Sequence, residues 1–274
     1  MFKQILGNVN SNVPLVHAIT NYVTVNDCAN IILASGGSPI MADDIAEAGE
    51  ITSICSALII NIGTLNERTI KSMITAGKKA NELKVPVILD PVGAGASALR
   101  NETIFTLLKE VNFAVIRGNI SEIKFIASGS SNAQGVDASA SDAVTADSLD
   151  SVVALAQELS KATGAVIAIT GATDIVADSK KAYIINNGHP MMSRVTGTGC
   201  MLTAVIGSFV GANKAHVLEA TATAVAAMGL CGELAYQRLC ELDGGTNTFR
   251  MLLIDYMSKI NADLLKDGAK IESR

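Results

Sequence analysis

The sequence lacks several features that mark large classes of protein. Aromatic residues make up 4% of its 274 residues, tryptophan is absent, and only 5 prolines and 3 histidines occur. Charged residues amount to 17% and the formal net charge is −5, which argues against a non-specific binder of nucleic acids or anionic membranes. Hydrophobic residues account for 49%, far too many for a disordered chain. We therefore expect a folded protein, with no nucleic-acid partner and no membrane partner.

The cysteines and the apolar stretches also match no secreted or membrane pattern. The five cysteines are odd in number and include no Cys-x-x-Cys pair, which excludes a zinc ribbon and a disulfide framework. The first residues turn polar too early for a signal peptide, which favours a cytoplasmic protein. No charge occurs between Arg194 and Lys214, but glycines and hydroxyl residues interrupt this stretch. We interpret it as a buried helix that follows a glycine-rich turn.

Two nucleotide-binding motifs are missing as well. No G-x-x-x-x-G-K-[ST] loop occurs, which excludes the Walker type of phosphate site. No G-x-G-x-x-G follows the first apolar run, and this argues against a nicotinamide-dependent dehydrogenase. The histidines, His17, His189 and His216, have no spacing typical of a metal site or a catalytic triad. We expect each of them to be structural.

What the sequence does contain is a series of short apolar runs separated by helical patterns. The runs are nearly continuous, as expected for parallel strands that are buried on both faces. They occupy residues 15–19, 57–62, 85–89, 113–116 and 165–169. Their alternation with helices predicts βαβ units and a parallel sheet.

Other segments complete the predicted organisation. Helical patterns cover residues 66–83 and 144–161, and a long alanine-rich helix is predicted at about 218–239. Apolar segments at 175–178 and 182–185 predict a hairpin on the edge of the sheet. The Gly-, Ser- and Ala-rich segment 128–142 predicts a flexible surface loop rather than a linker. With no boundary and no repeat, we expect a single domain over residues 1–274.

Ligands of open α/β sheets bind beyond the carboxyl ends of the parallel strands, and four candidate residues stand at or shortly after these ends. Asp90 follows the third run and suits Mg²⁺, although it also suits an acceptor for the N–H groups of the next loop. Arg117 can fork onto phosphate oxygens or form a salt bridge at the sheet edge. Asn119 and Glu122 form an N-x-x-E pattern, for which a capping box is the preferred interpretation on spacing alone.

The densest signal is the turn Gly197-Thr198-Gly199, which leads through Cys200 into an apolar segment. A glycine-rich turn at a helix start presents unpaired N–H groups and the positive end of the helix dipole to an anion. We expect Gly199 to need a positive φ and a close backbone approach. Cys200 lies in the first helical turn, where the dipole lowers the pKa of a thiol. The alternative is that Cys200 is a small buried apolar residue.

Five ordered motifs together resemble the hydroxyethylthiazole kinase family. They are VHAITNYVTVNDCAN at 16–30, GGSPIM at 36–41, DPVGAG at 90–95, RGNISE at 117–122 and RVTGTGC at 194–200. The resemblance implies a ribokinase-like three-layer sandwich, a mostly parallel central sheet with helices on both faces. It also implies ATP-dependent phosphorylation of the hydroxyl of 4-methyl-5-(2-hydroxyethyl)thiazole in thiamine salvage. Mg²⁺ and a homotrimer with active sites at subunit interfaces are further implications.

The resemblance assigns roles to the matching residues. It implies that Met41 and Gly197 contact the thiazole alcohol and that Asn21 and Val23 line its pocket. Cys200 stands where most ribokinase-like enzymes have an aspartate base, and it either removes the proton of the alcohol or only positions the alcohol. The catalytic turn is Gly197, Thr198, Gly199 and Cys200, whose N–H groups from Thr198 onward would face the transferred phosphoryl group.

On the nucleotide side, the resemblance implies that Arg117, Thr170 and Asn119 bind ATP. It implies that Asp90 and Glu122 bind the metal, which overrides the capping interpretation for Glu122, although one carboxylate can serve both purposes. The alternatives are a related kinase for hydroxymethylpyrimidine or pyridoxal, a non-catalytic nucleotide-binding protein, and a cysteine hydrolase. No histidine at a recognisable spacing supports a hydrolase.

Overall fold

A single twisted sheet forms the centre of the computed structural model, which describes residues 1–129 and 148–274. Within these residues nine strands lie in the order β2-β1-β3-β4-β5-β6-β7-β8-β9. Strands β1 to β6 pair in parallel, and β7 to β9 continue the sheet in antiparallel pairs. The strands are β1 Leu15–Ile19, β2 Ser38–Ile40, β3 Ala57–Asn61, β4 Val87–Asp90, β5 Val115–Asn119, β6 Val166–Thr170, β7 Asp174–Ala177, β8 Ala182–Ile185 and β9 Ile271–Ser273.

Helices cover both faces of this sheet. They are α1 Phe2–Asn12, α2 Val25–Ala34, α3 Ile45–Ser53, α4 Glu67–Glu82, α5 Ala98–Glu110, α6 Ile120–Ser128, α7 Leu149–Thr163, α8 Thr198–Ala212, α9 Val217–Glu241, α10 Thr246–Met257 and α11 Ala262–Gly268. Successive side chains of a strand enter opposite layers, as Ile59 and Leu58 do. Helices α1, α2 and α8 to α11 form one apolar layer with the sheet, and α3 to α7 form the other. The three-layer α/β sandwich is confirmed.

The five continuous apolar runs are confirmed as β1, β3, β4, β5 and β6. The helical pattern at 66–83 is α4, which starts at a capping box formed by Asn66 and Thr69, and the alanine-rich helix is α9. The hairpin is also confirmed, but its place on the sheet edge is wrong because β9 pairs with β8 on the outer side. Helix 144–161 is confirmed from Leu149 onward. The predicted loop 128–142 lies outside the described residues beyond position 129.

The uncharged stretch is a core helix, as predicted. Helix α8 is buried from Met201 through Gly211 and packs against β1, β3 and β4. Helix α9 is long and apolar enough to cross a membrane by length and composition, but 78% of its most apolar window is buried inside the protein. We therefore interpret α9 as a second core helix.

The chain changes its winding direction between β1 and β3, and this defines a crevice. It passes from β1 outward to β2 and then returns to add β3 on the opposite side of β1. At such a point the loops after two neighbouring strands diverge and leave room for a ligand. Asn21 follows β1 and Asn61 ends β3, so both side chains lie at this crevice.

Candidate active site

The first turn of α8 forms the centre of the site. Gly197 is the residue before the helix and has a φ of +87°, a backbone conformation that side chains disfavour. A Cβ at Gly197 would also stand 2.3 Å from Cγ2 of Thr24. Gly199 is helical, so the expectation of a positive φ there is wrong. Its lack of a side chain matters for space, because a Cβ would lie 2.6 Å from Nη1 of Arg117.

The Cys200 sulfur lies among amide groups of the crevice. Asn21 and Asn61 each donate an Nδ2–H to Sγ at 3.3 Å. Asn61 also donates to Oδ2 of Asp90 at 2.8 Å, while its own oxygen accepts from Asn21 Nδ2 and from the Gly63 N–H. Every hydrogen-bonding position of the Asn61 amide is therefore used. This residue links the thiol to the carboxylate, and the sequence reasoning did not identify it.

The expected activation of the Cys200 thiol is wrong. Burial raises the pKa of this thiol, and the nearby negative charge of Asp90 raises it further. Hydrogen bonds from Asn61, Thr24 and Asn21 favour the thiolate but do not reverse the shift. The cost of removing a charge from water is therefore the dominant effect on this thiol. Cys200 is therefore a protonated thiol at neutral pH.

Asp90 ends β4 and is fully buried. Its Oδ2 accepts hydrogen bonds from Asn61 Nδ2 and from Thr203 Oγ1, both at 2.8 Å. Its Oδ1 accepts no hydrogen bond and faces Nη1 of Arg117 at 3.6 Å. Burial raises the pKa of Asp90, against the lowering effect of Arg117 and of the two hydrogen-bond donors. The Oδ1 atom is thus a buried oxygen with an electrostatic partner and free acceptor capacity.

Arg117 projects from β5 toward the end of β6. Its Nη2 donates to Oγ1 of Thr170 at 2.6 Å, and its Nε is buried without a hydrogen-bond partner. The side chain is 12% exposed and packs against Gly199 at the start of α8. Arg117 therefore connects Asp90, Thr170 and the glycine-rich turn.

The capping box predicted from the N-x-x-E spacing is present. The Asn119 side chain accepts from the Glu122 N–H, and Glu122 Oε2 accepts from the Asn119 N–H, both at 2.8 Å. The other carboxylate oxygen, Oε1, accepts from the Gly93 N–H at 2.9 Å. Burial raises the pKa of Glu122, and the proximity of Asp90 raises it further. Glu122 thus joins the start of α6 to the turn after β4, and the Asn119 oxygen is engaged in the cap.

A cavity of about 510 Å³ opens beside Arg117 and the start of α8. Of the residues that the sequence predicts for the site, Thr170, Thr198 and Gly199 line it together with Arg117. The remaining lining comes from residues that sequence reasoning did not select: Gly171, Ala172, Asp174, Asn187, Gly188, His189, Pro190, Met192, Ser193, Leu202, Val225, Met228 and Gly229. The cavity is lined by the charged side chains of Arg117 and Asp174 and by apolar methionine, valine and leucine side chains.

Asp174 is the acidic residue of this cavity. Its Oδ1 accepts from the Gly171 N–H at 2.9 Å and closes the turn between β6 and β7. Burial raises the pKa of Asp174 to about 7, against a lowering effect of Arg117. The carboxyl therefore titrates near neutral pH.

The residues expected to bind the thiazole alcohol divide into two groups. Asn21 is buried and accepts hydrogen bonds from the Thr24 N–H and Oγ1, both at 3.1 Å, so it lies beside Gly197 and Cys200. Met41 follows β2 and is half-buried against the layer that contains α8. Val23 is 57% exposed on the surface of the single chain. The structure thus brings Asn21 to the α8 turn and leaves Val23 at the surface.

The donor set fits Mg²⁺ bound together with phosphate. No group of three or more His, Cys, Asp or Glu side chains suitable for a metal occurs in residues 1–129 and 148–274. Mg²⁺ does not need such a cage, since it usually takes one or two carboxylates and keeps water and phosphate oxygens as its other ligands. The free acceptor capacity of Asp90 Oδ1 satisfies that requirement.

Comparison with known proteins decides the family. The family model described as "Hydroxyethylthiazole kinase family" matches residues 6–263. The chain belongs to this family. Among curated relatives, hydroxyethylthiazole kinase of Clostridium acetobutylicum is 59% identical, with all of both chains covered. The enzyme of the same name from Clostridium beijerinckii is 53% identical over 98% of this chain and 95% of its own length.

Solved structures agree with this assignment. A hydroxyethylthiazole kinase protein from Pyrococcus horikoshii superposes with a TM-score of 0.88 at 33% identity, covering 99% of this chain and 98% of that one. A ribokinase-like superfamily protein from Enterococcus faecalis has a TM-score of 0.63 at 14% identity, with 94% and 95% covered. The second likeness is one of fold alone, and it confirms the ribokinase-like architecture.

Proposed function

We propose that this chain transfers the γ-phosphoryl group of ATP to the hydroxyl of 4-methyl-5-(2-hydroxyethyl)thiazole, a step of thiamine salvage, at the first turn of α8. One observation carries the proposal: the two glycines of this turn contact different sides of the site. Gly197 packs against Thr24 on the side of Asn21, whereas Gly199 packs against the Arg117 guanidinium. In this proposal the acceptor alcohol and the phosphates would meet at one turn, with Cys200 next to both.

The cavity beside Arg117 supports a nucleotide site. Arg117 and Thr170, which line it side by side, would bind phosphate oxygens, and the N–H groups of Thr198, Gly199 and Cys200 would stabilise the transferred group. The apolar part of its lining, with Met192 and the α9 residues Val225 and Met228, would pack against the nucleoside. Phosphoryl transfer needs such positioning and charge neutralisation more than covalent chemistry.

Asp90 and Glu122 would hold Mg²⁺ on the phosphate side. When bound, the metal would neutralise phosphate charge and help to align the triphosphate. Asp90 supplies the unbonded Oδ1, and Glu122 is already fixed by the N–H groups of Gly93 and Asn119. Asn119 contributes by capping α6 and thereby holding Glu122 in place.

On the acceptor side, Cys200 would orient the alcohol. Its raised pKa keeps the thiol protonated, so it is a poor proton acceptor before the reaction begins. The transition state of phosphoryl transfer is loose, and the alcohol proton leaves late in bond formation. Asn21, Met41, Gly197 and Val23 would form the pocket for the thiazole.

The assembly forms a further part of the proposal. We propose that residues 1–274 form one kinase domain, that the protein is cytoplasmic, and that it acts as a homotrimer with active sites at subunit interfaces. The surface position of Val23, beside the 79% exposed Tyr22, supports a pocket that a second subunit completes. Analytical ultracentrifugation of the purified protein tests the trimer.

A coupled assay of ADP release tests the activity. The purified protein, MgATP and the thiazole alcohol should give turnover, while hydroxymethylpyrimidine or pyridoxal in its place should give much less. Binding of ATP without ADP release in the presence of any of the alcohols would refute the kinase function in favour of a nucleotide-binding protein. Preferred turnover of pyridoxal or hydroxymethylpyrimidine would refute the substrate assignment and leave the kinase chemistry intact.

A further inference from the structure

His17 is a fully buried polar residue in the middle of β1. Its Nε2 lies 2.7 Å from the carbonyl oxygen of Ala42, and its Nδ1 lies 2.9 Å from Oγ1 of Thr52 in α3. The imidazole therefore joins β1 to the connection between β2 and α3. Neither the capping network nor the phosphate side uses this residue.

The chemistry of the partners determines the form of the ring. A carbonyl oxygen only accepts hydrogen bonds, so Nε2 of His17 carries the hydrogen and donates it to Ala42. Burial lowers the pKa of His17, which keeps the ring neutral. The unprotonated Nδ1 lies 2.9 Å from Oγ1 of Thr52, whose single hydrogen also faces the Ala48 carbonyl oxygen at 2.7 Å. His17 is thus held in one tautomer, with its donor directed at one main-chain atom.

That main-chain atom belongs to a segment that has few hydrogen bonds of its own, although Ala42 itself is buried. The ladder between β1 and β2 ends at the pair His17 and Ile40, and regular structure resumes at α3, where Asp44 caps the first turn. Within the described residues, no hydrogen bond between main-chain atoms outside helices and strands involves residues 41–43. The bond from His17 to Ala42 therefore fixes the main chain directly after Met41.

We infer that His17 is a positioning residue for the acceptor pocket, acting through the Ala42 carbonyl on Met41. The inference rests on the proposed function, in which Met41 contacts the thiazole alcohol. An apolar residue of similar size would fill the same space but leave the Ala42 carbonyl without its donor. Such a substitution would then displace Met41 and leave the chemistry at the α8 turn unchanged.

Two substitutions separate the two ring nitrogens. In His17→Asn the amide reaches about as far as Nδ1, so the contact with Thr52 is kept and the bond to Ala42 is lost. In His17→Gln the amide nitrogen reaches about as far as Nε2, and the donor to Ala42 is restored. We expect His17→Asn to raise the KM for the thiazole alcohol about tenfold, a typical effect of one lost buried hydrogen bond. The KM for ATP should stay within about twofold of the unmodified enzyme, and His17→Gln should recover much of the loss.

A control variant separates positioning from stability. Asn213 is a buried amide at the other end of α8, where it donates to the carbonyls of Phe209 and Ile5. Asn213→Ala should lower the melting temperature as His17→Asn does without changing the KM for the alcohol. Equal changes in both KM values, or an alcohol KM that follows the melting temperature across the three variants, would overturn the inference.

Two further measurements keep the test decisive. If His17→Asn does not fold, Thr52→Val removes the hydroxyl that contacts Nδ1 of His17, and it should raise the alcohol KM by a few-fold and leave the ATP KM unchanged. An unchanged alcohol KM in Thr52→Val would then overturn the inference. If the unmodified enzyme does not phosphorylate the alcohol, the proposed function fails and the inference fails with it. That result is distinguishable because it does not depend on any variant of His17.

Discussion

Arg117 and Asp90 form a buried ion pair across neighbouring strands β5 and β4, with Nη1 3.6 Å from Oδ1. The distance exceeds that of a hydrogen bond, and both Asp90 Oδ1 and Arg117 Nε remain without a hydrogen-bond partner. The two opposite charges are close together, but their hydrogen-bonding capacity is not fully used, so the pair can bind further ligands. Phosphate oxygens would accept the unused hydrogen bonds of Arg117, and a cation would bind to the unpaired Oδ1 of Asp90.

Arg117→Ala should raise the KM for ATP at least about tenfold, because two donors to phosphate are lost. The KM for the thiazole alcohol should change little, since Arg117 lies on the opposite side of the α8 turn. Arg117→Lys keeps the charge but removes the forked guanidinium that reaches Thr170. Its KM for ATP should therefore lie between that of the unmodified enzyme and that of Arg117→Ala. Initial-rate kinetics with each substrate varied in turn provide the measurement. A change in the alcohol KM alone would show that Arg117 lies on the wrong side of the site.

Asp90→Asn should reduce turnover about 100-fold or more and change its dependence on Mg²⁺, because a metal carboxylate is replaced by a neutral amide. The new side chain still offers an oxygen to Asn61 and Thr203, so the fold should be retained. Calorimetric binding of the thiazole alcohol should be close to that of the unmodified protein. Thr203→Val is the matched control, since it removes one donor to Asp90 and keeps the carboxylate. Unchanged turnover and Mg²⁺ dependence in Asp90→Asn would contradict the metal role.

The two glycines of the α8 turn should respond differently to alanine. Gly197→Ala introduces a positive-φ strain and a contact with Thr24, and it should lower the free energy of unfolding by roughly 1–3 kcal/mol. Gly199→Ala meets the Arg117 guanidinium and should mainly raise the ATP KM. Gly245 provides the control, because a Cβ there meets no atom within 4 Å and its φ is −105°. Urea unfolding and kinetics of the three variants distinguish these effects, and an ATP KM unaltered in Gly199→Ala would be evidence against the phosphate role of Arg117.

Cys200→Asp should retain substantial activity, and Cys200→Ser should be only moderately impaired. The Asn21 and Asn61 amides that now donate to sulfur would donate equally well to a carboxylate or hydroxyl oxygen. If the thiolate were instead the general base, Cys200→Ser would lose about 10²–10⁴-fold in kcat. The test is kcat at saturating ATP and alcohol, with folding checked by circular dichroism. A folded but inactive Cys200→Asp enzyme would mean that the site depends on sulfur itself.

Asp174 should make the stability depend on pH. Its pKa is about 7 in the folded protein, whereas an unfolded Asp titrates near about 3.9. Between these values the folded state binds more protons, so the free energy of unfolding contributed by Asp174 falls as the pH rises. Asp174→Asn retains an oxygen for the Gly171 N–H and removes this dependence. Urea unfolding from pH 5 to 8 should show the variant gaining stability relative to the unmodified protein as the pH rises, and parallel curves would disprove the assignment.

The sequence predicted the parallel strands well because their apolar runs are continuous, a pattern that burial on both faces requires. It did not reveal β2, since Ser38-Pro39-Ile40 is three residues long and contains a proline. Nor did it reveal β9, whose residues acquire strand geometry only by pairing with β8. Both strands depend on tertiary neighbours rather than on their own propensity.

For the site, Asp90 and Arg117 could be selected because each directly follows an apolar run, and topology brings these segments to one rim. Asn61 ends β3, but the apolar run 57–62 continues past it, so the sequence did not single it out. Its importance comes from hydrogen bonds to Asp90, Asn21 and Cys200, which are 29, 40 and 139 positions away. The expectation of a lowered pKa for Cys200 was wrong for a related reason. The pKa shift is dominated by desolvation, which comes from packing around the helix start and not from the local motif.

The sheet is closed at both sides by very short strands, β2 and β9, with three residues each. A proline stands in β2, while Glu272 lies in β9 and charged residues Lys270 and Arg274 flank it. Short, proline-bearing or charged edges resist pairing with the edge of another molecule, which is the usual start of β-aggregation. A broad apolar sheet of this kind can therefore stay monodisperse at high concentration, and lengthening either edge strand would be the modification that endangers its solubility.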